Sequence, residues 1–154
     1  MGKELRKYIK TIIGAKISYS RAGGGAGSII SMDVRNKDNS IYSLWVECAW
    51  RIENKNKIIA TSADSVEASN GLIAQSVKML ENKVIKSIKL TNFYDLLINF
   101  TDGFCLKVFC IFSYDCEPCM NWYLAIPEQD LCYEITNFFN VKKGKYYSND
   151  EKSE

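Results

Sequence analysis

The sequence predicts an α+β domain with one or two antiparallel sheets of about eight strands and two or three helices packed on one side, built from two related α–β halves. The first observation is an alternation over residues 40–53, where every even position from Tyr42 to Ile52 is apolar or aromatic. A period of two is typical of a strand with one face on a core and one face towards water. It favours an antiparallel sheet, because a parallel strand covered on both faces is apolar throughout.

The second observation is helical spacing in three segments. Residues 5–13 place apolar side chains at i, i+3, i+4, i+7 and i+8 with basic residues on the opposite face, which predicts a helix that ends near Gly14. Apolar residues within 69–81 predict a second helix. The segment 131–141 also has helical spacing, and we expect it to cap the sheet.

The remaining apolar segments predict strands separated by turns. The clearest turn signal is Asp102-Gly103, a dipeptide typical of two-residue β-hairpins. The predicted strands are 16–20, 28–35, 40–53, 57–61, 84–90, 95–101, 104–113 and 121–126.

The third observation is that the order of elements recurs. Lys16-Ile17 matches Lys83-Val84, and the Trp50 strand matches the Trp122 strand. We therefore predict one domain over residues 1–141, with a pseudo-repeat of 1–61 and 69–126. Chance similarity between two amphipathic β-meanders is the alternative. Residues 142–154 are almost entirely polar, and we expect a mobile tail there.

Composition excludes several kinds of chemistry. The 154 residues carry a formal net charge of +2 and contain no histidine. Most acyl-transfer and metal-hydrolase mechanisms need an imidazole, and a nucleophilic cysteine would lack its usual partner. We predict that the protein is not an enzyme, although a catalytic role without assignable residues stays open.

Two short motifs resemble known sites without completing them. Cys116-Glu117-Pro118-Cys119 has the spacing of half a zinc site or of a redox pair, but no second pair accompanies it. Residues 21–28 are rich in glycine, yet a strand follows them where a phosphate-binding loop needs a helix. We predict loop thiols in the first motif. The second is a flexible connection or, alternatively, a recognition loop, and no metal or cofactor is expected.

Apolar runs are too short for a membrane span of roughly 20 residues or for a secretory signal. We therefore expect a cytoplasmic location, six cysteines that are reduced thiols, and no membrane or direct nucleic-acid partner.

The distribution of charge suggests where a partner binds. Every charge between Lys107 and Lys142 is negative. Such a span is either a solvated face or a docking surface for a basic partner. Trp45 projects from the polar side of its strand, where a large aromatic is either covered by a helix or loop or exposed as a binding anchor. The candidate partner-binding residues are Asp115, Glu117, Glu128, Asp130 and Trp45, and we expect the four acidic residues to lie on adjacent surface loops.

Several short segments resemble a known group of proteins. They are Trp50-Arg51-Ile52, Phe93-x-Asp95-Leu96, residues 106–109 and Asn121-Trp122. In these segments the chain resembles small bacterial proteins of the immunity-protein type from polymorphic toxin systems, over roughly residues 12 to 126. The resemblance rests on architecture and implies no functional residues.

The resemblance implies a cytoplasmic protein that neutralises a toxin, plausibly a basic nuclease, by occluding it. Such binding needs complementary shape and charge and no chemistry, which suits a chain without histidine. The alternative is a small-ligand or regulatory binding domain with a pocket between the halves.

Overall fold

The computed structural model describes residues 1–115 and 117–146, which form two helices and eleven strands. The helices are α1 (Gly2–Thr11) and α2 (Leu72–Lys78). The strands are β1 (Lys16–Arg21), β2 (Ile30–Arg35), β3 (Ile41–Val46), β4 (Ala49–Asn54), β5 (Lys57–Thr61), β6 (Ile85–Leu90), β7 (Leu96–Phe100), β8 (Phe104–Phe109), β9 (Met120–Ile126), β10 (Leu131–Thr136) and β11 (Val141–Gly144).

The strands form two antiparallel sheets. The six-stranded sheet has the order β1-β2-β3-β9-β10-β11, and the five-stranded sheet has the order β5-β4-β8-β7-β6. The predicted α+β class with antiparallel sheets is confirmed. The prediction of about eight strands was too low, because one predicted strand divides into two and the segment after residue 130 adds two more.

Both sheets pack on one hydrophobic core, and the helices close its flanks. α2 lies against β1 and β5, which are edge strands of different sheets. α1 lies against the β6 edge and, through ring contact of Tyr8 with Tyr133, against β10. The helices therefore lie at two flanks, whereas we expected them on one side. Within the described residues neither helix is long and apolar enough to cross a membrane.

Residues 40–53 were predicted as one strand, and that prediction was wrong. β3 belongs to the six-stranded sheet and β4 to the five-stranded sheet, and the chain passes between them at Glu47 and Cys48. The alternation continues through this crossover because both sheets turn the same set of side chains towards one core. Val46, Cys48 and Trp50 are all buried.

The two halves of the chain have the same strand order. β1-β2-β3 lie side by side in one sheet and are followed by β4 and β5 in the other. β6-β7-β8 likewise lie side by side and are followed by β9 and β10 in the opposite sheet. Each half thus contributes three strands to one sheet and its next two strands to the other.

Side chains and hydrogen bonds follow the same equivalence. The buried side chains of α1 (Leu5, Ile9) and of the residue after it (Ile12) have the same spacing as Ile73, Val77 and Leu80 around α2. Where the halves meet, two main-chain hydrogen bonds from the first half to the second each have an equivalent bond in the reverse direction. The Gly14 N–H donates to the Ile85 carbonyl, and equivalently the Asn82 N–H donates to the Ile17 carbonyl. The Ile17 N–H donates to the Lys83 carbonyl, and equivalently the Ile85 N–H donates to the Ala15 carbonyl. In this equivalence Ile17 corresponds to Ile85, whereas the alignment on the sequence matched Ile17 with Val84, one residue earlier.

The segment after Asp130 differs from its prediction. Residues 131–141 were expected to form a helix, but β10 and the start of β11 occupy them. Both faces of β10 are covered, with Tyr133 and Ile135 in the core and Cys132 and Thr136 buried on the other face. Because buried side chains occur on both faces of β10, the apolar residues of this segment do not alternate, and their spacing resembles that of a helix.

The expected mobile tail began at Lys142, yet β11 extends from Val141 to Gly144 and pairs with β10. Lys143 also forms an ion pair with Glu4. The rest of the expected tail, from residue 147, lies outside the described residues.

The glycine-rich segment 21–28 packs against α2. Gly23 has φ 84°, and a Cβ atom on it would lie 2.9 Å from the Cβ atom of Ala74. The Gly23 and Gly24 N–H groups donate to the carbonyls of Gly27 and Val66. Since these donors are already used inside the protein, the segment is a packed connection, and the predicted helix 69–81 begins later, at Leu72.

Candidate functional site

Three loops at one end of the sandwich bring four aromatic rings together. Phe93 lies between β6 and β7, Phe112 and Tyr114 lie between β8 and β9, and Phe139 lies between β10 and β11. The ring centroids are 4.2 Å apart for Phe112 and Phe139, 4.3 Å for Phe112 and Tyr114, and 5.7 Å for Phe93 and Phe139. We call these four residues the aromatic cluster.

The aromatic cluster lies at the surface. Tyr114 is 80% exposed and Phe93 is 67% exposed, and Ile111 beside them is 56% exposed. Phe109 and Phe138 are also exposed. Single exposed apolar residues are ordinary, whereas rings in mutual contact at the surface make this cluster a candidate interaction surface. Rings that contact one another and water at the same time are available to a partner.

Asn121 fixes the first loop of the cluster. Its buried amide accepts the N–H of Ile111 at 2.7 Å and donates to the carbonyls of Ile111 and Thr136, each at 3.1 Å. Its own carbonyl accepts the N–H groups of Glu47 and Cys48. One asparagine at the start of β9 therefore joins the crossover between β3 and β4, the loop before β9 and the end of β10.

Asn137 fixes the other side of the same loop. Its side chain accepts the Cys119 N–H at 3.1 Å and donates to the Glu117 carbonyl at 3.3 Å. Its main chain accepts from Ser113 and donates to Cys119. Asn137 itself is 1% exposed, and these bonds hold the loop on the turn that carries Phe139.

The turn that carries Phe93 is held by Trp122. The Trp122 indole N–H donates to the Tyr94 carbonyl at 2.9 Å, and the Cys110 thiol donates to the same oxygen at 3.3 Å. The Asp95 carboxylate accepts the Cys110 N–H at 2.8 Å. The base of the aromatic cluster is thus a network of hydrogen bonds from β9 and from the end of β8.

Two bulky residues at the cluster have strained backbones. Tyr94 has φ 65° and Phe139 has φ 51°. A left-handed conformation is an outlier for an aromatic residue and costs roughly 1–3 kcal/mol. Such strain concentrates at functional sites, where the surrounding structure maintains it.

The four predicted acidic residues do not lie together. Asp115 and Glu117 are exposed in the loop before β9, close to the aromatic cluster. Glu128 and Asp130 are exposed in the turn after β9. The seven residues of β9 separate the pairs by roughly 20 Å, at about 3.3 Å per residue. We expected all four on adjacent loops, and only the first pair borders the cluster.

Trp45 lies on the outer face of the six-stranded sheet and is partly exposed. It stacks on Tyr123 of the neighbouring strand, with a centroid distance of 5.6 Å and an interplanar angle of 12°. The Trp45 ring therefore packs against a strand residue of the same face. Neither helix of the described residues packs on it, because both helices lie on the flanks of the sandwich.

Two carboxylates lie near this stacked pair. Partial burial of its carboxylate, together with the negative charge of Glu134, raises the pKa of Glu47. Burial raises the pKa of Tyr123. The charges of four neighbouring groups raise this pKa further, and these groups belong to Cys132, Tyr146, Glu47 and Glu134. Burial, followed by the charge of Glu134, raises the pKa of Cys132 to about 12. The thiol of Cys132 is therefore protonated at neutral pH.

Cysteines and carboxylates form no metal-binding cluster in the part of the chain that the structure describes. Within residues 1–115 and 117–146, no group of three or more cysteine, aspartate or glutamate side chains is arranged to hold a metal ion. Cys48, Cys105, Cys110 and Cys132 are free thiols, and Cys119 is exposed. Cys116, the other half of the predicted pair, lies outside the described residues.

A groove lies between the two halves, where the alternative function would need a pocket. It has a volume of about 470 Å³ and lies between β1 and α2. Tyr19, Arg21, Gln75 and Lys78 line it together with small residues. Of the two cations that line the groove, Lys78 pairs with Glu81 at 2.7 Å, whereas Arg21 has no ion pair within the described residues.

A scan against family models, a search of the curated proteins and a search of the solved structures each find no match to this chain. The functional argument therefore rests on the residues of the chain itself.

The aromatic cluster was not predicted from the sequence. Its members come from three loops far apart in the chain, and only the sheet topology brings them together. One signal was present: the segment 109–114, Phe-Cys-Ile-Phe-Ser-Tyr, continues to be apolar beyond the residues that pair in β8. We had assigned most of this segment to the strand.

Proposed function

We propose that this protein binds another protein through the aromatic cluster and blocks it, in the way that an immunity protein occludes a toxin. The observation that carries the proposal is that four rings in mutual contact include two that are mostly exposed, Tyr114 and Phe93. Aromatic side chains dominate the binding energy of protein interfaces, because they bury a large apolar area with few rotatable bonds.

The hydrogen bonds of Asn121 and Asn137 support this proposal. Both amides are buried, and both hold main-chain groups of the loop that carries Phe112 and Tyr114. A loop that is ordered before it binds loses less conformational entropy on association than a mobile loop does. Pre-organisation of this kind favours tight binding.

Charge supports a basic partner. Asp115 and Glu117 are exposed in the same loop as Tyr114, and the nearest basic residues along the chain are Lys107 and Lys142. A toxin that cleaves nucleic acid presents cationic groups around its active site, because its substrate is a polyanion. Carboxylates beside an aromatic anchor are complementary to such a surface and raise the rate of encounter.

A comparison of the two halves also supports the location. We propose that the halves descend from one duplicated α–β unit. In the first half the crossover from β3 to β4 consists of Glu47 and Cys48. In the second half the equivalent crossover, from β8 to β9, extends from Cys110 to Cys119. The longer crossover carries Phe112, the exposed ring of Tyr114 and both nearby acids, so the extra residues distinguish the binding half from its counterpart.

Occlusion needs no catalytic group. The partner would be blocked when the loop covers its active site, and the required properties are complementary shape and charge. This mechanism suits a chain without histidine.

The test is to measure binding of the purified protein to the product of the gene immediately upstream of its own. We expect Tyr114→Ala and Phe93→Ala each to weaken binding at least tenfold, which corresponds to about 1.4 kcal/mol. The matched control is Ile58→Ala, because Ile58 is 63% exposed on the β5 edge strand and distant in the fold from the cluster. Equal effects of all three substitutions would contradict the proposal.

The groove between β1 and α2 supports a second candidate, a small-ligand binding domain. Arg21 at its edge would favour an anionic ligand. A screen of anionic metabolites by thermal shift distinguishes the two functions, because a ligand that binds the folded state raises its stability. A raised midpoint that Arg21→Ala abolishes would favour the second function.

A further inference from the structure

The outer face of the six-stranded sheet is a second surface with unusual composition. In register, Trp45 of β3 lies opposite Tyr123 of β9, and Tyr123 lies opposite Glu134 of β10. The two helices pack on the flanks of the sandwich, and Trp45, Tyr123 and Glu134 on this face are partly exposed. Its centre is therefore an aromatic pair beside a carboxylate.

The five-stranded sheet provides an internal reference for this face. The pairs Val46–Trp122 and Val108–Trp50 are equivalent in the two sheets, so the next pairs along, Trp45–Tyr123 and Lys107–Arg51, are equivalent too. The second of these pairs is fully charged. Lys107 and Arg51 each lie 2.8 Å from the carboxylate of Glu53. The five-stranded sheet thus has a network of ion pairs suited to water at this position, and the six-stranded sheet has two stacked rings at the equivalent position.

Negative charge surrounds the ring of Tyr123. Glu134 is its cross-strand neighbour, and Glu47, which lies in the crossover two residues after Trp45, is near both Glu134 and Tyr123. Neither carboxylate has an ion pair within the described residues, although Lys142 lies opposite Glu134 in the β10–β11 register. The hydroxyl-bearing ring of Tyr146 is also near Tyr123.

We propose that this face binds an arginine side chain of a basic protein, with the guanidinium against the Trp45–Tyr123 pair and its N–H groups directed at Glu47 and Glu134. Charge complementarity identifies the occupant, because two carboxylates without an ion pair flank two ring faces that attract cations. Arginine fits better than lysine, since its planar guanidinium stacks on aromatic rings and donates to carboxylates in a fixed geometry.

The proposed arginine site is separate from the aromatic cluster, and binding of arginine at this site does not require the cluster. The stacked pair is formed by central strands of a sheet, whereas the cluster is formed by loops. The same partner protein can contact both surfaces, since Asn121 joins the Glu47 crossover to the loop that begins at Ile111.

The probe is a hexa-arginine peptide, compared with hexa-lysine, and the readout is the indole N–H signal in nuclear magnetic resonance. The chain has three tryptophans, and Trp50 and Trp122 are buried. We expect hexa-arginine to shift the Trp45 signal until it saturates, at least threefold more tightly than hexa-lysine. The signals of the two buried tryptophans should stay in place. Trp45→Phe assigns the signal.

Charge variants complete the test. Glu47→Gln with Glu134→Gln should weaken hexa-arginine binding at least tenfold. The control, Glu53→Gln with Glu67→Gln, changes the net charge equally and alters the opposite sheet and an exposed loop. Circular dichroism checks the fold of each variant. Equal affinity for both peptides, equal weakening by both charge pairs, or an unshifted Trp45 signal would overturn the proposal. Tyr114→Ala should leave hexa-arginine binding unchanged, which separates this site from the proposed toxin contact.

Discussion

Trp50 and Trp122 make the same hydrogen bond in the two halves of the sandwich. The Trp50 indole N–H donates to the carbonyl of Ser28 at 2.7 Å, and the Trp122 indole N–H donates to the carbonyl of Tyr94 at 2.9 Å. Each acceptor lies two residues before the second strand of its own half. Both rings are buried, so each tryptophan fixes the entry to that strand while it fills the core.

We expect Trp50→Phe and Trp122→Phe each to lower the free energy of unfolding by about 2–4 kcal/mol. Each change removes core volume and leaves a partly buried carbonyl without its donor. Trp45→Phe is the matched control and should cost less than about 1 kcal/mol, because this ring is partly exposed. Urea unfolding measures all three variants, and equal losses would show that the buried hydrogen bonds contribute nothing specific.

Asn121→Ala should destabilise the protein by about 2–4 kcal/mol, because it leaves the buried Thr136 carbonyl and the partly buried main-chain groups of Ile111 without their side-chain partner. It should also speed limited proteolysis within the loop before β9. Asn92→Ala, at an exposed position, provides the control. A loop that is cleaved at the same rate in both variants would contradict the role assigned to Asn121.

Phe139 tests backbone strain at the cluster. Because its φ is 51°, glycine at this position should give a protein about 1 kcal/mol more stable than alanine does. Comparison of Phe139→Gly with Phe139→Ala by thermal unfolding isolates the backbone, since both variants lack the ring. If alanine gives the more stable protein, the left-handed conformation is not strained.

Glu47 should make stability depend on pH in an unusual direction. The folded protein raises the pKa of this carboxyl, so ionisation of Glu47 opposes folding above the folded pKa and has no effect below the ordinary glutamate pKa. Glu47→Gln should therefore be slightly more stable than the parent at pH 7, by about half a kcal/mol or less because water screens the charge. The gain should vanish as the pH falls below about 4.3, the usual glutamate value. A gain that persists in acid would point to a cause other than ionisation.

The acidic residues provide a matched pair of charge reversals. Asp115→Lys with Glu117→Lys should slow association with the basic partner at low salt, and the difference should shrink as salt screens the charges. Glu128→Lys with Asp130→Lys changes the net charge equally at the other end of β9 and should have the smaller effect. Stopped-flow association rates at two salt concentrations measure both. Equal slowing would show that net charge alone steers the partner.

The fold class followed from the sequence because hydrophobic periodicity depends on which face a residue turns to the core. From Tyr42 to Ile52 this periodicity is correct at every even position, since all of these side chains are buried. Hydrophobic periodicity does not show in which of the two sheets a strand lies. The division between β3 and β4 at Glu47 has no glycine or proline, so nothing local marks it.

The candidate site could be predicted only in part, because its contacts are between distant loops. Asp115, Glu117 and Trp45 were identified by their type and by their neighbours in the sequence. The contact of Phe93 with Phe139 depends on how β7, β8, β9 and β10 are arranged in two sheets. No periodicity within a single segment contains that information.

The central claim is that the aromatic cluster is the contact surface for a protein partner, and hydrogen–deuterium exchange of the complex tests it most directly. In the complex with the upstream gene product, we expect protection of the loops at 91–94, 110–119 and 137–140, and unchanged exchange in the turn at 127–130. Protection confined to that turn, to α1 or to the groove between β1 and α2 would contradict the claim.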